Sequence, residues 1–270
     1  MSKIKYGSQT YPWQMNADAK FHGQVPHMVD VLLQAGFTGM EAEICMLGDY
    51  YKDWRRLKAL LDEKQVTFAA LAFHEDWLLA EETNEERARA DEAIEFLSHF
   101  PTAKLMLCHA AADPVREHNL YEKQCNQLAC ISDVARRAAE SGIVSVFHPN
   151  SAPNSIFRYD SDYHIMFDTL YTAGIGYAPD VGHMVNGGVD PLQTIRDHRE
   201  IVQHVHFKDM GADHVWTTMG KGIIDFKPIV DFLKETDYRG WIMTEDESPD
   251  AVLDSDGVLL ADGAYMRSIR

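Results

Sequence analysis

Ionisable side chains recur along the 270-residue chain at the ends of short apolar segments. They are histidines, carboxylates and a lysine, at these positions: Glu41, Glu43, His74, Glu75, His109, His148, Asp180, His183, His206, Lys208, Asp209, Glu245 and Glu247. If the segment ends meet at one rim, these groups destabilise one another unless a cation or hydrogen bonds offset them. A divalent ion bound by oxygen and nitrogen atoms is the simplest such cation. The pattern therefore predicts a metal site built without cysteine.

The segments that carry these residues are typical of strands, and they alternate with segments of helical spacing. The strand candidates are residues 4–10, 38–44, 66–73, 103–109, 144–148, 176–180, 202–207 and 240–245. The helical candidates have apolar residues three and four positions apart, and they are residues 25–33, 52–64, 85–99, 121–141, 162–173, 191–197 and 226–235. Strands that alternate with helices form right-handed βαβ units and a parallel sheet.

Eight such units close most economically into a barrel, which typically needs about 250 residues. The alternative, an open doubly wound sheet, would carry a glycine-rich phosphate loop after its first strand, and residues 8–13 contain none. No linker or change in composition divides the chain. We therefore predict an α/β fold, a single (β/α)8 TIM barrel domain over residues 1–270, with its reactive groups at the carboxyl ends of the strands.

The net charge of −17 restricts the partners of the chain. A surface so acidic repels nucleic acid and anionic lipid, and no apolar stretch approaches the roughly 18 residues of a membrane span. The four cysteines lack metal-type spacing and are expected to be buried, reduced thiols. These features predict a cytoplasmic protein that binds a small molecule, with neither nucleic acid nor membrane as partner. They are compatible with a homo-oligomer.

Some of the ionisable residues have a structural interpretation beside the chemical one. His204 and His206 are two residues apart, so a strand places both on one face. Such a pair also marks metal-dependent amidohydrolases, but on the first strand, whereas here it belongs to the seventh. Glu41 fits a buried network at the floor of the barrel better than a substrate contact. His109 is either a hydrogen-bonded residue at a strand end or a functional one.

Four segments in the second half of the chain carry a family resemblance. They are DVGH (180–183) with GGVDP (187–191), HVHFKD (204–209), GKGIIDF (220–226) and YRGWIMTE (238–245). In this order they resemble the sixth strand end, the seventh strand, a G-x-G-x-x-(D/P)-(F/W) loop and the eighth strand of the xylose-isomerase-like sugar isomerase and epimerase barrels. The resemblance spans most of the chain and is strongest from about residue 148 onward.

The resemblance implies a bound divalent metal ion, with Mn²⁺ first and Mg²⁺, Co²⁺ or Zn²⁺ as alternatives. The ligands it carries over are Asp180, His206 and Glu245. It also places His183 against a substrate oxygen. The fifth strand departs from the family pattern, because relatives have a glutamate where this chain has Val146. When His148-Pro149-Asn150 is aligned on the His-Pro-Asn segment of 3-dehydroshikimate dehydratases, His148 becomes either the fourth ligand or the catalytic base.

Such a site activates the hydrogen atom next to a ketone. The metal polarises the carbonyl and stabilises an enediolate once a base has removed the α-proton. The candidate bases are His148, His183, His109 and Glu43. Expulsion of a β-hydroxyl gives a dehydratase or lyase, in which Lys208 either protonates the leaving oxygen or pairs with Asp209. Reprotonation elsewhere gives a sugar isomerase or epimerase.

The His-Pro-Asn segment favours the lyase, because many isomerases and epimerases keep the glutamate at that strand. The expected substrate is a carbohydrate of the keto-sugar, keto-polyol or keto-glycoside class. The residues expected to contact it are His183, Trp13, Trp77, Asn150 and Arg158. A metal-free sugar-binding barrel is an alternative. Apurinic endonucleases share the fold, but they need a basic surface, which the net charge argues against.

Overall fold

The structure is a computed structural model that describes residues 4–16, 18–109 and 115–270, with the backbone but not the side chain of His109. The described chain forms two compact units. The first comprises the described residues up to Ala70 together with His204–Arg270, and the second comprises Leu71–Gln203. The single domain expected from the sequence stays a prediction.

Eight strands of the described chain belong to one parallel sheet. In chain order the strands are β1 (Lys5–Gln9), β2 (Gly39–Glu43), β3 (Thr67–Glu75), β4 (Lys104–His109), β5 (Val144–Phe147), β6 (Gly176–Tyr177), β7 (Val205–Phe207), β8 (Asp209–Met210), β9 (Trp216–Thr217) and β10 (Trp241–Thr244). The order in the sheet is β6-β5-β4-β3-β2-β1-β10-β7, and β8 and β9 form an antiparallel hairpin. The eight predicted strands are confirmed. The hairpin was not predicted, because two residues per strand show no alternation.

The helices follow the strands as the apolar spacing predicts. In chain order they are α1 (Tyr11–Gln14), α2 (Val25–Gln34), α3 (Ile44–Leu47), α4 (Asp49–Lys52), α5 (Trp54–Lys64), α6 (Asn84–Leu97), α7 (Leu120–Glu140), α8 (Asp160–Ala173), α9 (Val181–Asn186), α10 (Pro191–Asp197), α11 (Lys227–Glu235), α12 (Pro249–Leu253) and α13 (Ser255–Ile269). The seven predicted helical segments match α2, α5, α6, α7, α8, α10 and α11 to within two residues at each end.

Strand β6 also pairs with the segment that leads into β7. Tyr177 and Val202 form a parallel bridge. The N–H of Gln203 donates to the carbonyl oxygen of Tyr177 at 3.0 Å. A closed eight-stranded barrel requires this pairing between its sixth and seventh strands.

A close approach in the first unit explains the glycine that begins β2. A Cβ atom added to Gly39 would lie 2.2 Å from Cζ3 of the Trp241 indole, so only glycine lets this ring pack against the strand. Trp241 belongs in turn to a buried cluster with Ala69 and Met243. This core supports the strands that end at the ionisable residues described below.

None of the helices formed by the described residues has the length and apolar content needed to cross a membrane. The four cysteines are free thiols. The prediction of buried thiols is confirmed for Cys130 alone, since Cys108 and Cys125 are half-buried and Cys45 is exposed. The reason is local, because Cys45 lies in the short helix α3 after β2 and not within the strand itself.

Candidate metal centre

The first unit gathers six ionisable side chains near the ends of β2, β7 and β10. This first cluster consists of Glu41, His204, His206, Lys208, Glu245 and Glu247, and all but Glu247 are buried. Ligand atoms of Glu41, His204 and His206 lie within 4.8 Å of one another. The first cluster thus places imidazoles and carboxylates close enough to share one cation.

His206 lies at the centre of the first cluster. Its Nδ1 is 2.5 Å from Oε2 of Glu245, and its Nε2 is 3.0 Å from Oε2 of Glu41. Burial alone would lower the pKa of this imidazole, but the two carboxylates raise it to about 10. Each ring nitrogen therefore faces its own carboxylate, which fixes the orientation of the ring.

Glu41 forms the buried network that the sequence favoured. Its Oε2 also lies 2.7 Å from Nε2 of His204, so one carboxylate oxygen binds both histidines of the His-x-His pair. Burial would raise the pKa of Glu41, but His206 and His204 lower it to about 2. A histidine that binds a metal with one nitrogen is usually oriented by a hydrogen bond at the other, and Glu41 provides that bond for His206.

Lys208 contacts two carboxylates of the first cluster. Its Nζ donates to Oε1 of Glu245 at 2.9 Å and to Oε1 of Glu247 at 2.6 Å. The carboxylate of Asp209 instead accepts the backbone N–H groups of Gly220 and Gly222, each at 2.9 Å. The ion pairs described for Lys208 are with Glu245 and Glu247, and its predicted pairing with Asp209 stays a prediction. Asp209 holds the glycine-containing loop, and Lys208 joins the first cluster.

The second unit gathers a second cluster, consisting of His148, Ser151, Asp180, His183 and Asn186. His148 follows β5 directly, Asp180 caps the start of α9, and His183 and Asn186 lie on that helix. Nε2 of His148 is 3.6 Å from Oδ2 of Asp180, whose Oδ1 accepts the backbone N–H of His183 at 2.7 Å. One oxygen of the Asp180 carboxylate thus fixes the helix, while the other faces an imidazole.

The loop between β5 and α8 is anchored by Asp162. This buried carboxylate accepts the backbone N–H groups of Arg158 at 3.0 Å and Tyr159 at 2.8 Å, and it pairs with the buried Arg116. Gln124 adds a hydrogen bond at 3.2 Å. The loop that carries Asn150 and Ser151 therefore ends at a fixed point.

The two tryptophans expected to contact substrate are both buried. Nε1 of Trp13 donates to Oδ1 of Asp256 at 2.7 Å, so the N–H group of this indole has its acceptor within the first unit. Trp77 lies in the second unit with its ring 6.0 Å from that of Phe73. Its Nε1 finds no hydrogen-bond acceptor among the described residues. A buried donor without an acceptor is uncommon in folded proteins, so Trp77 is the better candidate for a substrate contact.

The other predicted residues have different surroundings. The side-chain oxygen of Asn150 accepts hydrogen bonds within its own loop, and the guanidinium of the half-buried Arg158 lies 5.4 Å from the ring of Tyr159. Glu43 ends β2 and is half-buried. The side chain of His109 lies outside the described residues. Sequence analysis missed Ser151 and Asn186, although Asn186 follows His183 by three residues, a spacing that places both on one helix face.

The donor atoms of both clusters fit a divalent ion. Each cluster supplies a carboxylate oxygen next to an imidazole nitrogen: Glu245 beside His206 in the first, and Asp180 beside His148 in the second. Neither cluster contains a thiolate. Mixed nitrogen and oxygen donors suit Mn²⁺, Co²⁺ and Zn²⁺.

A pair of buried carboxyl groups lies behind the first cluster and leads to a stability prediction. Both carboxyl groups are buried, Asp262 completely and Asp246 with 2% exposed. Oδ1 of Asp262 accepts the N–H of Met219 at 3.0 Å. Burial and the charge of Asp246 raise the pKa of Asp262 well above its ordinary value. A carboxyl whose pKa is raised by folding loses its contribution to stability as the pH rises towards that folded value.

We therefore expect Asp262→Asn to keep the hydrogen bond from Met219 and to gain stability over the wild type as the pH rises above about 4, by up to about 1.4 kcal/mol per pH unit. Thermal unfolding followed by circular dichroism from pH 4 to pH 9 measures this gap. The exposed Asp250→Asn is the control, and its gap should not change with pH. A loss of stability in Asp262→Asn that does not depend on pH would contradict the raised pKa of Asp262.

Comparisons with known proteins agree with this fold. The profile of the xylose isomerase-like TIM barrel family matches residues 29–269. The inosose dehydratase of Geobacillus thermodenitrificans is 23% identical, with 98% of this chain and 97% of that protein covered. HVHFKD (204–209) and the ending Pro249-Asp250-Ala251 are similar to segments of inosose dehydratases.

Two solved structures share the fold. The IolI protein with a bound zinc atom has a TM-score of 0.78 at 13% identity over 98% of each chain. The probable 3-DHS dehydratase AsbF of Bacillus anthracis has a TM-score of 0.75 at 15% identity, over 98% of this chain and 99% of that one. The predicted family resemblance and the predicted (β/α)8 fold are confirmed. The chain belongs to the xylose isomerase-like TIM barrel family.

Proposed function

We propose that the chain is a metal-dependent dehydratase of a keto-polyol, keto-sugar or keto-glycoside. The observation that carries this proposal is the similarity to a curated inosose dehydratase over nearly the whole of both chains. The end of β5 supports the same reaction, since Val146 stands where many isomerases and epimerases keep a glutamate, and His148-Pro149-Asn150 follows it. The substrate is accordingly a small carbohydrate that carries a ketone.

The residues proposed to hold the ion are Asp180, His206, Glu245 and His148. A (β/α)8 barrel brings the carboxyl ends of all its strands to one end, and these residues lie at or just after the ends of β6, β7, β10 and β5. The zinc of the IolI protein is consistent with such donors. A bound divalent ion polarises a ketone and makes the neighbouring hydrogen more acidic.

The side chains of the protein then move the protons. Glu43 is proposed as the base, because its carboxylate ends β2 and is held by an amide of Gln14 at 3.0 Å from Oε2. Lys208 is proposed to give a proton to the leaving hydroxyl, since its ammonium group lies between Glu245 and Glu247. One group thus removes the α-proton and another neutralises the departing oxygen.

The test is to supply a keto-inositol or a 3-keto-glycoside to the protein and to follow the absorbance of the enone or enol. We expect the absorbance to rise with Mn²⁺ or Co²⁺ present, to stop after chelation, and to return when metal is added back. Full activity in the chelated protein would contradict the role of the metal. Interconversion of ketose and aldose, without the enone absorbance, would instead assign the chain as an isomerase or epimerase.

A further inference from the structure

A hydrogen-bonded chain of three side chains in the second cluster determines the state of an imidazole. Nδ2 of Asn186 lies 2.9 Å from Oγ of Ser151, and that Oγ lies 2.9 Å from Nδ1 of His183. Ser151 is only 1% exposed and His183 only 8% exposed. In such a buried chain each hydrogen atom is assigned by the donors and acceptors beside it.

The backbone carbonyl of Ser151 indicates which end of the Asn186 amide faces Ser151. Nδ2 of Asn186 also faces the carbonyl oxygen of Ser151, at 3.5 Å. A carbonyl oxygen only accepts, so the NH₂ end of the Asn186 amide points at Ser151 and donates to its Oγ. An Oγ that accepts from Asn186 keeps its own hydrogen to donate, and Nδ1 of His183, at 2.9 Å, is in place to accept it. An imidazole that accepts at Nδ1 carries its proton on Nε2.

Two further contacts hold Asn186, Ser151 and His183 in place. The backbone N–H of His183 is bound by the carboxylate of Asp180 at 2.7 Å. Helix α9 also ends against the loop that carries Ser151, because a Cβ atom added to Gly187 would lie 2.0 Å from the carbonyl oxygen of Arg158. The helix and the loop therefore cannot separate the three side chains without a backbone change.

We propose that Ser151 and Asn186 are positioning residues that hold His183 as the Nε2–H tautomer, so that this imidazole donates a hydrogen bond to a substrate oxygen and does not act as the base. This inference deepens the proposed function and rests on it. A neutral imidazole that donates from Nε2 stabilises negative charge as it develops on a carbonyl or hydroxyl oxygen. His183 was one of the candidate bases, and the proposal makes it a hydrogen-bond donor to the substrate.

The decisive variant is Asn186→Asp. It keeps the shape of the side chain and reverses the direction in which the three side chains donate their hydrogen bonds. An aspartate accepts from the Ser151 hydroxyl, so Oγ must accept from His183, and the ring proton moves to Nδ1. Asn186→Ala leaves the Ser151 hydroxyl able to donate to Nδ1. We therefore expect kcat to fall roughly 100-fold in Asn186→Asp and clearly less in Asn186→Ala. A purely structural role predicts the reverse order, because alanine removes more contacts than aspartate.

The tautomer is measured directly, without substrate, by ¹⁵N NMR of protein labelled at histidine. The signals of His183 are identified by their loss in His183→Gln. We expect a bare Nδ1 with a protonated Nε2 in the wild type, a protonated Nδ1 in Asn186→Asp, and a mixture in Ser151→Ala. The exposed Ser161→Ala is the control and should match the wild type.

The two readouts separate this inference from the proposed function. A protonated Nδ1 in the wild type, or a larger loss of kcat in Asn186→Ala than in Asn186→Asp, would overturn the assignment of His183. The expected tautomers in a protein that eliminates water from none of the keto-carbohydrates would support the hydrogen-bond chain and overturn the dehydratase proposal instead.

Discussion

His206→Ala is expected to abolish stoichiometric metal binding and to lower turnover at least about 1,000-fold. The imidazole of His206 is buried between the carboxylates of Glu41 and Glu245, and it is one of the proposed metal ligands. Its removal takes away one donor atom and breaks the contact of this ring with each of the two buried carboxylates, and breaking a buried ion pair typically costs about 3–5 kcal/mol of stability. Metal analysis of the purified variant, with circular dichroism as the check on folding, measures the effect.

A second variant keeps this prediction testable if His206→Ala folds poorly. Glu41→Gln retains all of the proposed ligands but replaces the carboxylate that orients His206, and changes of this kind lower metal affinity by about 10- to 100-fold. The exposed His164→Ala should retain both metal and activity. Unchanged metal content in His206→Ala would remove this histidine from the site.

The sequence predicts the sheet well because strand signals are local. Each of the eight strands shows a short apolar run, and those runs match the observed strands. Helix α13 was missed because its signal depends on tertiary packing. Gly263 interrupts the helical pattern, yet a Cβ atom there would lie 2.1 Å from the carbonyl oxygen of Ala35. The glycine is needed for a contact with the end of α2, and a sequence pattern does not show such contacts.

In the candidate site too, some residues could be predicted from the sequence and others could not. Residue types at strand ends indicated Asp180, His206 and Glu245, because ionisable groups at the end of an apolar run are unusual. Their partners were not predictable. Lys208 pairs with Glu245, 37 residues along the chain, because β7 and β10 lie side by side in the sheet. The role of Ser151 could not be predicted either, since a serine after His-Pro-Asn does not indicate which histidine it will contact in the fold.

Lys208→Met is expected to have the second large effect, on both stability and activity. The ammonium group is 1% exposed and binds Glu245 and Glu247. Its removal takes the ammonium group away from both Glu245 and Glu247, and breaking a buried ion pair in this way typically costs about 3–5 kcal/mol of unfolding free energy. It also removes the proposed proton donor, which lowers kcat by about 100- to 10,000-fold. Urea unfolding and the elimination assay measure the two effects on the same protein.

The double variant Lys208→Met/Glu247→Gln separates the two roles of the lysine. The second change removes the charge of Glu247, one of the two carboxylates that lost the ammonium group, so stability should recover by about 1–3 kcal/mol. Activity should not recover, because the leaving hydroxyl still lacks its proton donor. The exposed Lys221→Met is the matched control and should change neither quantity, since an exposed ion pair contributes about 0–1 kcal/mol. If activity returns together with stability in the double variant, Lys208 supports the fold of the first cluster and transfers no proton.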